Sequence, residues 1–223
     1  MTPSSVMLAS ASLRPADIKY MRQHMSNMPS SFSLVTTGQF KPIEQGRLDY
    51  LCGLYATINA VRLIKPATAR QSQTMFEMGV RYLDDRGWLS TVLTEGMPIR
   101  LFSSLARHLL RASGHEITRL VAFPTRTTKP IGSNPDELAI LSAVAQGRPV
   151  IVALDGPLDH YSVIHGYSPQ RFHLFDSFGY RWLNRKDCGY GRQPNKRHRI
   201  TPWLIPAPKT QTSPQNALHS YAA

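Results

Sequence analysis

The chain has 223 residues, 42% of them apolar, and a net charge of +12. That length suits one domain with tails, with enough apolar mass for a real core. The longest apolar runs fall far short of the ~20 residues a membrane span needs, and the N-terminus lacks the basic segment that opens a secretory signal. Two cysteines are too few for a disulfide scaffold, and neither belongs to a pair at zinc-ligand spacing, so a reducing compartment fits, with a Cys52–Cys188 bridge as the open alternative.

Residues 1–31 form an N-terminal arm rich in Ser, Met and Pro, with a short helix over 16–25 behind Pro15. β character follows at 32–36, and 41–46 is a loop that delivers the chain to Cys52. From Gly53 the apolar positions Leu54, Tyr55, Ile58, Val61, Leu63 and Ile64 spread over more than one face. That spread predicts a helix buried on most sides, ended by Lys65 and Pro66. A second helix is predicted over 71–83, closed by the turn at 84–87. A third is predicted over 98–112, where Leu101, Phe102, Leu105, Leu109 and Leu110 share one face up to Ser113 and Gly114. These helices make one lobe.

A strand over 116–123, a loop over 124–134 and a helix over 135–145 come next; Pro135 sits near the first helical position, with Asp136 and Glu137 in the first turn. Strands over 150–154, 160–166 and 171–176 predict an antiparallel sheet, and a last strand near 200–205 carries Pro202, which suits an edge. Residues 206–223 read as a disordered polar tail, which leaves 32–205 as the folded domain.

Charge is unevenly placed. After Asp176, eight basic residues, among them Arg181, Arg185, Lys186, Lys196, Arg197 and Arg199, stand against one acid, Asp187, a balance of +7. Such a stretch is a solvated face or a dock for an acidic partner; it would also attract nucleic acid or anionic lipid, but no nucleic-acid module motif accompanies it.

Cys52 opens a helix, and a helix N-terminus favours a reactive thiolate. The plain alternative is a buried structural cysteine, since Cys packs as a small hydrophobe. Gly53 beside it favours reactivity, because a missing side chain lets a substrate backbone approach the sulfur, whereas Cys188, in a basic loop, reads as a bystander. If Ser168 centres the hairpin turn, facing residues have numbers that sum to about 336. His160 then faces Asp176, and the carboxylate orients the imidazole for proton transfer from a thiol. A bulge would put Phe175 or Ser177 opposite instead. His165 and His173 are the rival pair; His160 and His165 fall on opposite faces of a regular strand, so one of them at most faces Cys52. His160, at a strand end after a loop, is the chosen base. Gln45 would offer its amide to an oxyanion beside the Cys52 N–H, or is a plain loop residue. Asp49 caps the helix or shapes the same loop. On this reading an amide at position 176 still orients the ring, so Asp176→Asn keeps part of the activity.

The pieces are a glutamine upstream of Cys52-Gly53-Leu54, the run from Gly147 to Leu154 leading into Asp159-His160-Tyr161, and Phe175-Asp176-Ser177. Together they resemble the papain-like cysteine peptidases, most closely the branch of C39-like, bacteriocin-processing peptidases. The chain order Cys, His, Asp and the spacing of 16 from His160 to Asp176 are similar to the family's, and the resemblance covers roughly residues 40–183. It implies an α+β papain-like fold, a helical lobe whose nucleophile helix packs on an antiparallel β-sheet. It also implies Cys52 as nucleophile, His160 as general base and acid, Asp176 as the orienting acid and Gln45 as oxyanion donor. Two features depart from the family: Gln45 stands farther upstream of Cys52 than is usual, and no transporter segment follows, so export of a leader-bearing peptide is not implied.

The expected activity is hydrolysis of a peptide or isopeptide bond by thiol acyl transfer, on a protein or peptide substrate, with no metal or organic cofactor needed. A glutamine deamidase or transglutaminase-like enzyme would use the same order of residues. From a different class, the chain would be a non-catalytic basic module that binds nucleic acid or an acidic protein. The expected location is the cytoplasm, with a secreted bacterial effector that lacks a signal peptide as the alternative.

Overall fold

The computed structural model describes residues 29–34, 41–115, 118–119, 134–190 and 195–205. The predicted arm up to residue 28, the loop over 124–133 and the tail over 206–223 lie outside the described residues. So does the strand predicted over 116–123, except for two positions.

In chain order the elements are β1 (Phe32–Ser33), α1 (Cys52–Ile64), α2 (Ala69–Asp84), α3 (Leu89–Glu95), α4 (Ile99–Ala112), β2 (Thr118–Arg119) and α5 (Pro135–Ala145). There follow β3 (Val150–Asp155), β4 (His160–Tyr167), β5 (Arg171–Leu174), β6 (Trp182–Asn184), a 3₁₀ turn (Arg185–Asp187), β7 (Cys188–Tyr190) and β8 (His198–Leu204). The protein is thus a mixed α and β fold in which a run of helices precedes most of the strands.

Helix α2 starts two residues before its predicted position because Thr68 and Gln71 form a reciprocal capping box, with bonds of 3.2 and 2.9 Å. It ends where Gly87, at φ 67°, lets the Trp88 N–H reach back to the Leu83 carbonyl (2.9 Å). Helix α3 was not expected. It has seven residues and no side-chain cap at its start, so its one local signal is Gly96, at φ 87°, just past its end.

The sheet order is β2-β8-β3-β4-β5-β6, with β1 added to β4 and β7 to β8. It is mixed, and so differs from the antiparallel expectation: β7 runs parallel to β8, pairing Cys188 with His198 and Tyr190 with Ile200. Three residues in a basic loop carry too little alternation to announce that strand. Nor is β8 an edge. β3 pairs along one side of it, while on the other β7 reaches Ile200 and β2 begins opposite Trp203. Pro202 pairs with Val152 of β3, so this proline lies inside the sheet and not at its edge.

Two apolar cores cover the sheet. Ile151 and Ala153 of β3 pack with Tyr161, Val163, Trp203 and helices α1, α2 and α4. Val150, Val152 and Leu154 pack with α5, Ile164, Phe172 and Ile200. Being buried on both faces, β3 needs apolar residues at every position, which is why it reads as a continuous run. Every residue of α1 from Cys52 to Val61 is buried except Tyr55. α2 comes down onto α1 at Gly79, where a Cβ would strike Leu54. Among the described residues no helix is long and apolar enough to cross a membrane.

Candidate active site

Cys52 is the first residue of α1. The preceding residue, Leu51, occupies the cap position and supplies no side-chain bond to the helix. Asp49 does not cap it either: its Oδ1 accepts from the Leu51 N–H at 3.1 Å, a turn within the entry loop. The helix therefore presents its first backbone N–H groups and its positive end around the Cys52 sulfur. That sulfur also lies 3.9 Å from the Tyr50 carbonyl.

Gly53 has a role other than the one expected. It is buried, and a Cβ there would stand 3.0 Å from Phe102, 3.2 Å from the Met97 sulfur and 3.4 Å from Tyr161. Its missing side chain lets α1 seat on the core; it does not open a path for substrate. Tyr161 is held there by its hydroxyl, which donates to the Met97 carbonyl (2.9 Å).

His160 begins β4, and its Nε2 lies 2.7 Å from Asp176 Oδ2. The two are not the cross-strand partners that a simple hairpin predicts. The β4–β5 register runs Ile164 to Leu174, then shifts to Gly166 opposite His173. Phe175 N–H still bonds the Val163 carbonyl (2.8 Å), which puts Asp176 opposite Ser162 and makes His160 its diagonal neighbour on the same face. The turn centres between Pro169 and Gln170 and not on Ser168, so the first pairs sum to 339; the bulge takes this back only to 338, and the diagonal reach of a histidine restores the pair.

The second carboxylate oxygen of Asp176 accepts the N–H groups of Phe178 (2.9 Å) and Tyr180 (3.0 Å). The carboxylate is thereby fixed from one side and the imidazole from the other. Tyr180 packs edge-on to the ring at 5.5 Å, and Phe178 lies at 6.3 Å. With Nε2 engaged by Asp176, Nδ1 is the nitrogen left free, and Cys52 is near enough for its sulfur to influence the ring.

The electrostatics follow from this packing. Burial by itself pulls the His160 pKa down, but the bonds and charges of Asp176 and Cys52 outweigh it and raise it to about 9. Burial likewise pushes Asp176 up, yet the His160 bond and charge, the Ser162 hydroxyl and the Tyr180 N–H hold it below its ordinary value. Ser162 acts by proximity here, since among the described residues its hydroxyl makes no well-formed hydrogen bond. The proton therefore rests on His160 through neutral pH, between a carboxylate and a sulfur.

Gln45 reaches this site from the loop before α1. Its backbone N–H donates to the Ser177 carbonyl and its side-chain oxygen accepts from the Ser177 hydroxyl, both at 3.0 Å. Its amide nitrogen makes only a long 3.5 Å bond to the Asp49 carbonyl. Its bonds thus run to Ser177 and to the Cys52 entry loop, with none to Cys52 itself. Asn59, fully buried in α1, pins the same loop, accepting from the Ile43 N–H (2.8 Å) and donating to the Ile43 carbonyl (3.1 Å). Ser177 and Asn59 were not singled out from sequence. Asn59 did carry a signal, as the one amide in a helix whose flanking residues Ile58, Ala60 and Val61 are apolar.

The rival residues lie elsewhere. His165 sits at the bulge, 6.3 Å ring to ring from His173. Burial, then the charge of His173, push its pKa down to about 4, and Cys52 is not among its influences. Cys188 is buried in the other core, and burial with the charges of Glu137 and Asp187 pushes its thiol up to about 12. The two cysteines are free and on opposite sides of the sheet, so no bridge joins them. Among the described residues, no group of three His, Cys, Asp or Glu is placed to hold a metal ion.

In the basic stretch, Arg199 is paired with Asp155 (2.6 Å) and Arg185 with Glu137 (2.7 Å). Neither the protein-family models nor the curated proteins gave a match to this chain.

Proposed function

We propose that this chain is a papain-like cysteine peptidase of C39-like type, hydrolysing a peptide or isopeptide bond. The observation that carries the reading is the His160 ring, held through Nε2 by a buried carboxylate and raised in pKa by Cys52, a cysteine at a helix N-terminus. A structural cysteine requires no such neighbour.

In the reaction, the Cys52 sulfur attacks the scissile carbonyl carbon and the carbonyl electron pair moves onto oxygen. The Cys52 N–H and the Gln45 amide receive that oxyanion; the Ser177 hydroxyl on Gln45 Oε1 leaves the NH₂ end as the part able to turn toward it. The intermediate collapses as His160 gives its proton to the leaving amine, which departs and leaves a thioester on Cys52. The neutral imidazole then takes a proton from water, the hydroxide adds to the thioester, and the acid is released as the thiol is restored. Asp176 keeps the ring in one tautomer throughout.

The rim of the site favours an apolar stretch of substrate. Leu48 is 94% exposed and Tyr50 and Phe178 are each 55% exposed, the first two just before Cys52 and the third just after Asp176. The test is mass spectrometry of new N-termini in a cell extract treated with wild type or with Cys52→Ala. Cleavages present with wild type and absent with the variant are expected; equal cleavage by both would overturn the reading.

A further inference from the structure

The β5–β6 ladder carries a second polar surface, none of whose residues is part of the Cys52–His160–Asp176 group. Phe172 faces Leu183 across the ladder and both are buried in the α5 core, so Arg171, His173, Trp182 and Asn184 share the opposite face. Arg171 pairs with Asn184 and His173 with Trp182. They form a square of planar side chains at the sheet's edge, since β6 ends the strand order. Beside it a cleft of about 620 Å³ is lined by Arg171, His173, Asn184, Arg185 and Lys186 with the turn at 168–170.

The charges in this cleft divide into two kinds. Arg185 is committed to structure: it bonds Glu137 (2.7 Å) and the carbonyls of Ser168 (2.9 Å) and Pro169 (3.0 Å). Arg171, Lys186 and Lys196 have no carboxylate at ion-pair distance among the described residues. Lys196 is nonetheless held in place, its Nζ donating to the Lys186 carbonyl. Trp182 is 48% exposed, and the Arg171 guanidinium lies over its ring at 4.6 Å from the centroid.

We propose that this surface binds a short stretch of single-stranded nucleic acid, with Arg171, Lys186 and Lys196 on the phosphates and a base stacked on Trp182. Cations alone would serve any polyanion. An exposed indole set among them is what stacking of bases requires and what a run of carboxylates does not use. Strand addition by an acidic peptide is disfavoured, because β6 offers only three residues of edge. The net charge of +12 supplies the long-range attraction. The proposal is independent of the thiol chemistry and is tested without it.

The experiment is fluorescence anisotropy of a short labelled oligothymidylate with the full chain, beside a polyglutamate peptide of equal charge. Binding should quench tryptophan emission. It should also weaken with salt, with a log–log slope of about −2 for three phosphate contacts at ~0.7 each. Trp182→Ala should weaken binding about tenfold with the slope unchanged. Lys186→Ala should reduce the slope by about 0.7. Both side chains are exposed, and both variants should keep the wild-type melting temperature and Cys52 probe labelling. Polyglutamate binding as tight as the oligonucleotide, or full affinity in Trp182→Ala, would overturn the assignment.

Discussion

Asp176→Asn is nearly isosteric, yet the geometry makes it a severe lesion, in contrast to the partial activity expected from sequence. In wild type, one carboxylate oxygen accepts from two backbone N–H groups and the other from His160 Nε2, so the side chain is an acceptor on every side. An asparagine must turn its NH₂ either toward two backbone donors or toward His160. The second choice costs one repulsion and the first costs two, so the amide faces the ring. His160 then relieves the clash by moving its proton to Nδ1 and accepting from the amide at Nε2. That places a hydrogen on the nitrogen that should take the proton from Cys52, the wrong tautomer for a base, a defect worth about 10³–10⁴ in kcat in triads of this logic. Losing the carboxylate charge also lowers the His160 pKa, because that charge helps to hold it at about 9. The assay is the second-order rate of Cys52 alkylation from pH 5 to 10, with circular dichroism to verify folding. A folded Asp176→Asn protein that labels within about tenfold of wild type would refute this account of the acceptor network.

Three further outcomes follow from the same geometry. His160 sits above its ordinary 6.5, at about 9, so its share of stability is fully present below 6.5 and is lost as pH rises through 9. Asp176, held low, adds stability that is lost only on acidification below its ordinary carboxylate range. The stability gap between wild type and His160→Ala, read from urea midpoints, should therefore shrink by on the order of 3 kcal/mol between pH 6 and 9.5; a constant gap would contradict it. Asn59→Ala strips the Ile43 N–H and carbonyl of their partner. It should cost about 2 kcal/mol and slow turnover through the loosened Gln45 loop; lost stability with unchanged kcat would remove Asn59 from any positioning role. Gly79→Ala should destabilise by ~1–3 kcal/mol through Leu54, against the ~1 kcal/mol gain an open helical site would give, and a higher melting temperature would contradict the packing.

Local pattern located these elements: the spacing of apolar positions for α1, α2, α4 and β4, a continuous apolar run for β3, and Pro135 with two first-turn acids for α5. The elements missed or misjudged are those decided by distant partners. β7 exists because β8 offers it a ladder, and β8 lies inside the sheet because β3 pairs along one side of it and the short strands β7 and β2 along the other. The site was legible to a similar depth. Cys52 and His160 announce themselves by their positions at element ends, and Asp176 was found through a register that the structure does not use. The bonds from Ser177 to Gln45 and from Asn59 to Ile43 cross 132 and 16 residues of chain; an amide in an apolar stretch marks Asn59 as a residue to explain, but neither partner can be read from the local sequence.

The most direct measurement of the central claim compares two thiols in one protein: the rates at which a small alkylating probe modifies Cys52 and Cys188, resolved by peptide mass spectrometry, in wild type and in His160→Ala. Both cysteines are buried to a similar degree, 6% and 3% exposed, so packing alone gives them similar rates. The account predicts fast, selective labelling of Cys52 near neutral pH that collapses in His160→Ala, with Cys188 slow in both proteins. Equal rates at the two cysteines, or Cys52 labelling untouched by the loss of His160, would contradict it.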